Sequence, residues 1–142
     1  MNEYTIDDIE IGTGAEFTKQ ITSKMEDQFR LITGDENPLH SSDEYAKEIS
    51  GGRFKSHVSF GMLTASLYSA LAGMYLPGKY SLIHSIDDIS FKAPVYAGDE
   101  LTVSGEVIDK NMDLKLITVK AVIRNQDGAV VSKAKIKVIV QK

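Results

Sequence analysis

An aspartate and a histidine five residues apart are the side chains in this 142-residue sequence best suited to acid–base chemistry. They are Asp35 and His40, and Pro38 between them disfavours a helical conformation at Asn37. A turn at this point can bring the two side chains together, whereas a helix would place them on different faces. A carboxylate beside an imidazole can accept and deliver protons near neutral pH. The segment Asp-x-Asn-Pro is also an ordinary turn sequence, so the pattern alone leaves a purely structural role open.

The helix that should lead into this turn begins at Ser23. Glu26 follows three residues later, as in a capping box, and Gly34 supplies a stop signal. Three apolar residues are spaced for one helical face: Met25, Phe29 and Ile32. We therefore expect a short amphipathic helix that hands the chain to the Asp–His turn.

A second helix is predicted over residues 61–76, which contain no charged residue and end before Pro77. A helix without a charged face must be covered on nearly every side, and this one is too short and too rich in Ser and Gly to span a bilayer. We expect a central helix wrapped by a sheet, with a helix packed between two neighbours as the alternative. Its small residues would allow close packing: Ala65, Ser66, Ser69, Ala70, Ala72 and Gly73.

The second half of the sequence predicts the sheet. Residues 101–107 and 133–140 alternate between apolar and polar side chains, which is the pattern of strands with one solvent-facing side. Residues 114–123 are also apolar but break phase near Leu116 and Ile117, which suggests a bulge. Turn-forming residues separate these runs, so we expect three consecutive antiparallel strands.

Composition excludes several classes of function. The chain has 16 Lys and Arg against 20 Asp and Glu, so it lacks the basic field needed for nucleic-acid binding. It has no cysteine, which rules out disulfides and a thiolate nucleophile, and its three histidines lack metal-ligand spacing. No repeat, linker, signal peptide or membrane-spanning run is evident, so we expect one domain over residues 1–142 in the cytoplasm, without a membrane association.

Four segments, in order, resemble the MaoC-like dehydratases, and specifically the (R)-specific enoyl-CoA hydratases. They are residues 34–40, 61–67, 76–79 and 90–102. The resemblance implies an α+β hot-dog fold, in which a curved antiparallel sheet wraps a long central helix. It also implies a homodimer with two active sites near the interface and no cofactor. The implied reaction is reversible syn addition of water to a trans-2-enoyl thioester of CoA or acyl carrier protein, which gives the (R)-3-hydroxyacyl thioester.

The resemblance also implies roles for five residues. Asp35 and His40 match the catalytic pair, and Gly61 matches the glycine whose N–H binds the thioester carbonyl. Ser69 matches a serine near the catalytic pair, and Asn37 should orient the loop. Packing alone would also explain Gly61 and Ser69, and turn formation would explain Asn37.

The sequence departs from the family at two places. Phe60 stands where the family usually has histidine, and the segment between His40 and Gly61 is longer than usual. We expect these changes to reshape the pocket without abolishing hydration. His57 could replace the missing imidazole, but an exposed loop position is the favoured interpretation, and His84 should lie in or beside a strand.

Two other functions remain open for this sequence: a hot-dog thioesterase, and a non-catalytic module for thioester binding or assembly. A thioesterase would need an acid or base aimed at the thioester carbonyl rather than at C3. The carrier, whether CoA or acyl carrier protein, should meet basic residues near the site mouth. The candidates are Arg53, Lys55, Lys79 and Lys92.

Overall fold

The computed structural model describes residues 1–142 and contains five strands and three α-helices. A 3₁₀ turn over Pro38–His40 separates α1 from α2, and a π-helical segment over Leu71–Tyr75 extends α3. The elements run in the order β1 (Gly14–Gln20), α1 (Ser23–Thr33), α2 (Asp43–Ile49), α3 (Gly61–Ala70), β2 (Ser81–Phe91), β3 (Glu100–Asn111), β4 (Leu116–Arg124) and β5 (Val130–Val140).

The five strands form one antiparallel sheet in the order β1-β3-β4-β5-β2. The predicted run of three consecutive antiparallel strands is confirmed as β3, β4 and β5. The bulge predicted near Leu116 is wrong, because the register shifts lie between Val107 and Asp109 and between Ile123 and Arg124. Leu116 instead begins β4, so the break in phase marks the end of a turn.

Helix α3 packs against the sheet, which confirms the predicted central helix and the α+β architecture. Tyr68 is buried at its centre and its hydroxyl lies 2.8 Å from the hydroxyl of Ser132 on β5. The π-helical extension ends at Tyr75, with Leu76 as its C-cap, which agrees with the stop predicted before Pro77. One face of the helix is uncovered within the single chain: Met62, Ser66, Ser69 and Met74 are exposed. No helix is both long enough and apolar enough to cross a membrane.

Helix α1 has the predicted bounds but a different cap. Thr22 is the N-cap and accepts a hydrogen bond from the Met25 N–H at 3.2 Å. Gly34 ends the helix in the left-handed conformation, with φ of 70° and its N–H bonded to Arg30 O. The predicted capping box is wrong, because Glu26 is buried and its carboxylate binds a side chain elsewhere in the chain. Helix α2 lies between His40 and Gly61, in the segment expected to be longer than is usual in the family.

Candidate active site

The loop after α1 brings Asp35 and His40 together. Asn37 organises it, since its side chain accepts a hydrogen bond from the Leu39 N–H at 3.0 Å and its own N–H donates to Asp35 Oδ1 at 3.0 Å. These bonds hold the 3₁₀ turn that begins at Pro38. His40 Nε2 then lies 3.8 Å from Asp35 Oδ2, as a turn at Pro38 predicts.

The imidazole of His40 is oriented by two contacts from the segment before α3. Its Nδ1 lies 2.7 Å from Val58 O, and its ring packs on the ring of Phe60 with centroids 4.3 Å apart. A carbonyl oxygen can only accept, so this bond places a proton on Nδ1. In the neutral ring Nε2 therefore carries the lone pair, and Nε2 is the atom nearest Asp35.

The gap between Asp35 and His40 leaves both side chains free to bind a water molecule or a substrate. At 3.8 Å the nearest atoms are too far apart for a direct hydrogen bond. The Asp35 side chain is 44% exposed and the His40 side chain 15% exposed. A water molecule or a substrate can therefore contact both groups at once.

A cavity of about 320 Å³ lies beside His40. Gly61, the first residue of α3, lines it, and its N–H has no acceptor within the helix. A Cβ at this position would lie 3.3 Å from two ring carbons of Phe91, so close packing also favours glycine. The remaining lining residues are mostly apolar: Phe54, Val58, Ser59, Thr64, Phe91, Lys92, Ala93, Pro94, Val95 and Val131.

Several candidate residues do not line this cavity. Asp35 lies outside its wall, and Ser69 is exposed on the uncovered face of α3. Lys92 is the lining residue among the four basic candidates, whereas Lys79 pairs with Glu3 at 3.1 Å. The single chain thus assembles His40, Gly61 and Lys92 at the cavity and leaves Ser69 apart from them.

Phe60 does not line the cavity, so it does not shape the pocket by direct contact. Its side chain is 2% exposed, is absent from the cavity wall and packs between the rings of His40 and Phe29. The guanidinium of Arg30 lies 5.7 Å from its ring centroid. Because the chain enters α3 with this side chain turned inward, Phe60 packs against His40 instead of contacting the cavity.

Two hydroxyl groups in the cavity wall were missed. Ser59 and Thr64 are buried, and neither hydroxyl oxygen has a hydrogen-bond partner. An unpaired buried hydroxyl costs about 1–3 kcal/mol, so a bound polar group or water would stabilise each. The sequence does contain a signal for Thr64. It follows Gly61 by three residues, a spacing that places both residues on the same face of a helix.

The surroundings of His57 were also missed: it lies in a loop, as expected, but its side chain is partly buried rather than exposed. Its Nδ1 lies 2.6 Å from Asp43 Oδ1 and its Nε2 lies 3.1 Å from Glu26 Oε1. Partial burial disfavours the imidazolium, but the hydrogen bonds to Asp43 and Glu26 outweigh that effect and raise the pKa of His57. His84 lies on β2, as predicted. No group of three or more acidic and histidine side chains has the geometry of a metal site.

Comparison with known proteins agrees with this architecture. Residues 8–128 match the family described as MaoC like domain. An (R)-specific enoyl-CoA hydratase from Aeromonas caviae is 36% identical over 121 residues, which cover 85% of this chain and 87% of that protein. A mitochondrial 3-hydroxyacyl-(acyl-carrier-protein) dehydratase from Solanum lycopersicum is 33% identical over 107 residues, covering 72% and 60% of the two chains.

A solved structure of an R-hydratase from Pseudomonas aeruginosa superposes with a TM-score of 0.87 at 28% identity, covering 97% of this chain and 86% of that one. The family match spans most of the sequence, and the superposition extends over nearly the whole fold. The chain therefore belongs to the MaoC-like domain family and has the hot-dog fold of its hydratases.

Proposed function

We propose that this chain is a hydro-lyase that reversibly hydrates trans-2-enoyl thioesters to (R)-3-hydroxyacyl thioesters. The observation that carries the proposal is the convergence of Asp35 with His40, which lines a largely apolar cavity together with Gly61. The hydratase and dehydratase relatives, whose names describe the two directions of such a reaction, support it.

Asp35 and His40 divide the proton transfers. Asp35, as a carboxylate, accepts a proton from the water that attacks C3, and His40 Nε2 holds that water. That proton then passes to C2, with His40 taking part in the transfer, and the Asp35 carboxylate is restored. Water supplies both the hydroxyl at C3 and the proton at C2, so the atoms balance without another reactant. The unbridged gap of 3.8 Å between the two side chains suits this shared contact with one water.

Gly61 stabilises the charge that develops on the thioester oxygen. Attack at C3 moves negative charge onto this oxygen as an enolate forms. The N–H at the start of α3 is free of helical partners, and the helix dipole favours negative charge there. The absence of a side chain lets the thioester approach the backbone.

The carrier is CoA or acyl carrier protein, as in the names of the relatives. We propose that the active form is a homodimer, in which a second copy covers the exposed face of α3 and the neighbourhood of Ser69. A cytoplasmic location is part of this proposal, because a chain without cysteine gains nothing from an oxidising compartment.

The proposal is tested with purified protein and a series of enoyl-CoA substrates of increasing acyl length, then with the same acyl groups on acyl carrier protein. We expect hydration at C3 with (R) configuration in the product, detected by chiral analysis. Thiol release is measured in the same reactions. Release of free thiol without hydration would identify a thioesterase, and binding without either reaction would identify a non-catalytic module.

A further inference from the structure

Three side chains beside the active site form a cluster that the proposed chemistry does not use. His57 lies between the carboxylates of Glu26 on α1 and Asp43 on α2, at 3.1 and 2.6 Å. Asp43 Oδ1 also accepts the His57 backbone N–H at 2.9 Å. We call Glu26, His57 and Asp43 the carboxylate clamp.

The clamp geometry fits a doubly protonated imidazole. Both ring nitrogens of His57 face carboxylate oxygens, and both nitrogens donate when the two carboxylates are ionised. The Glu26 side chain is only 3% exposed, and a buried carboxylate without a cationic partner would be strongly destabilising. The raised pKa of His57 agrees with this charge state.

The clamp connects to His40 through one peptide unit. Val58 follows His57 directly, and its N–H donates to Leu39 O at 3.0 Å while its carbonyl accepts from His40 Nδ1 at 2.7 Å. The same short segment therefore carries the clamped histidine and the carbonyl that orients the catalytic one. Movement of the His57 backbone would move the acceptor of the His40 ring.

We propose that the carboxylate clamp is a positioning device for His40. It holds the backbone at residues 57–58 where Val58 O selects the Nδ1–H form of His40 and directs Nε2 toward Asp35. The inference rests on the proposed function for its catalytic consequence, but the tautomer and orientation of His40 can be measured independently of activity.

Other charged groups border the clamp. A polar cleft of about 170 Å³ places Asp27 and Arg30 of α1 next to Glu26, His40 and His57. Arg30 pairs with Asp27 at 2.9 Å and donates to His40 O at 3.2 Å, so its charge is already engaged. Lys47 acts on Asp43 from within α2, where it favours the ionised carboxylate. The two carboxylates are therefore the partners that hold the proton on His57.

Loss of that proton removes one of the two clamp bonds. Because the clamp raises the pKa of His57, the bonds persist to higher pH than they would with an unshifted histidine, and they are lost as pH rises through the raised pKa. Removal of either carboxylate lowers this pKa. We therefore expect the alkaline limb of the kcat profile to move to lower pH when a clamp carboxylate is neutralised.

The experiment compares Glu26→Gln and Asp43→Asn with wild type, using Glu44→Gln as the control because Glu44 is exposed beside Asp43. We expect a drop in kcat of about tenfold at neutral pH, with KM nearly unchanged, against a loss of ~10²-fold or more for removal of His40. Glu44→Gln should match wild type. Imidazole ¹⁵N spectra should show protonated His57 and Nδ1–H His40 in wild type, and mixed His40 tautomers in the clamp variants.

The test uses variants at both clamp carboxylates because one of them could fail to fold. Asp43 is 59% exposed, so Asp43→Asn should fold even if neutralising buried Glu26 does not. The clamp hypothesis is overturned if Asp43→Asn retains the wild-type pH profile and the wild-type His40 spectrum. Folded wild-type protein that hydrates no substrate would contradict the proposed function instead, and the His40 spectra would still decide whether the clamp positions the ring.

Discussion

At the scale of single residues, the loop between α1 and α2 carries Asp35 and His40, the proposed acid–base pair. Replacement of Asp35 by Asn or of His40 by Ala should each lower kcat/KM for crotonyl-CoA by ~10²-fold or more, the usual contribution of a positioned acid–base group. Asp35 lies at the surface, so its variant should keep the wild-type melting temperature, checked by circular dichroism. Near wild-type turnover in both variants would remove these residues from the mechanism.

Phe60 is a second test at this scale. A ring that is 2% exposed and packs at a tilt against His40 affects every substrate through the histidine, so substitution should not change the ranking of acyl lengths. Phe60→Leu should lower kcat for all chain lengths by a similar factor. Phe60→His buries a polar ring and should reduce the free energy of unfolding by about 1–3 kcal/mol. A changed substrate ranking with unchanged stability would instead indicate that Phe60 contacts the substrate from the cavity wall.

At the scale of elements, a substitution at the start of α3 can distinguish a packing role for Gly61 from a catalytic role. Gly61→Ala adds a methyl group 3.3 Å from the partly exposed ring of Phe91, which can shift outward, so stability should change by less than about 1 kcal/mol. The same methyl group obstructs approach to the free N–H, and kcat/KM should fall by about tenfold or more.

Gly73→Ala is the matched control for this substitution. Its Cβ would meet only Ser81 Oγ, at an ordinary contact distance of 3.9 Å, and Gly73 does not line the cavity. Its kinetics should equal those of wild type. If Gly61→Ala also had the kinetics of wild type, Gly61 would have only a packing role.

At the scale of the whole molecule, two apolar surfaces lack a partner within one chain. Met62 is 61% exposed on α3, and the edge strand β2 exposes Leu82 and Phe91. An edge strand with exposed apolar residues is a site for pairing with another chain. We expect light scattering at micromolar concentration to give twice the mass of the chain, and Leu82→Lys to shift the protein toward monomer. A wild-type monomer would contradict the proposed dimer.

Local patterns in the sequence predicted α1, α3, the strands β3 to β5 and the proposed acid–base pair. Period-2 alternation predicted β3 and β5, and the absence of charge in residues 61–76 predicted the central helix. Pro38 predicted the turn that brings Asp35 to His40. Each of these depends on residues within a few positions, where backbone sterics and the helical or strand period act directly.

Only the tertiary structure decided what surrounds that pair. His57 and Glu26 are separated by 31 positions, and no spacing rule relates them. Whether Phe60 turns toward the cavity or beneath His40 depends on where α1 and the sheet leave space. The sequence therefore determined which groups are candidates for the reaction, whereas packing between distant segments determined the orientation of His40, because burial and long-range hydrogen bonds exist only once the chain has folded.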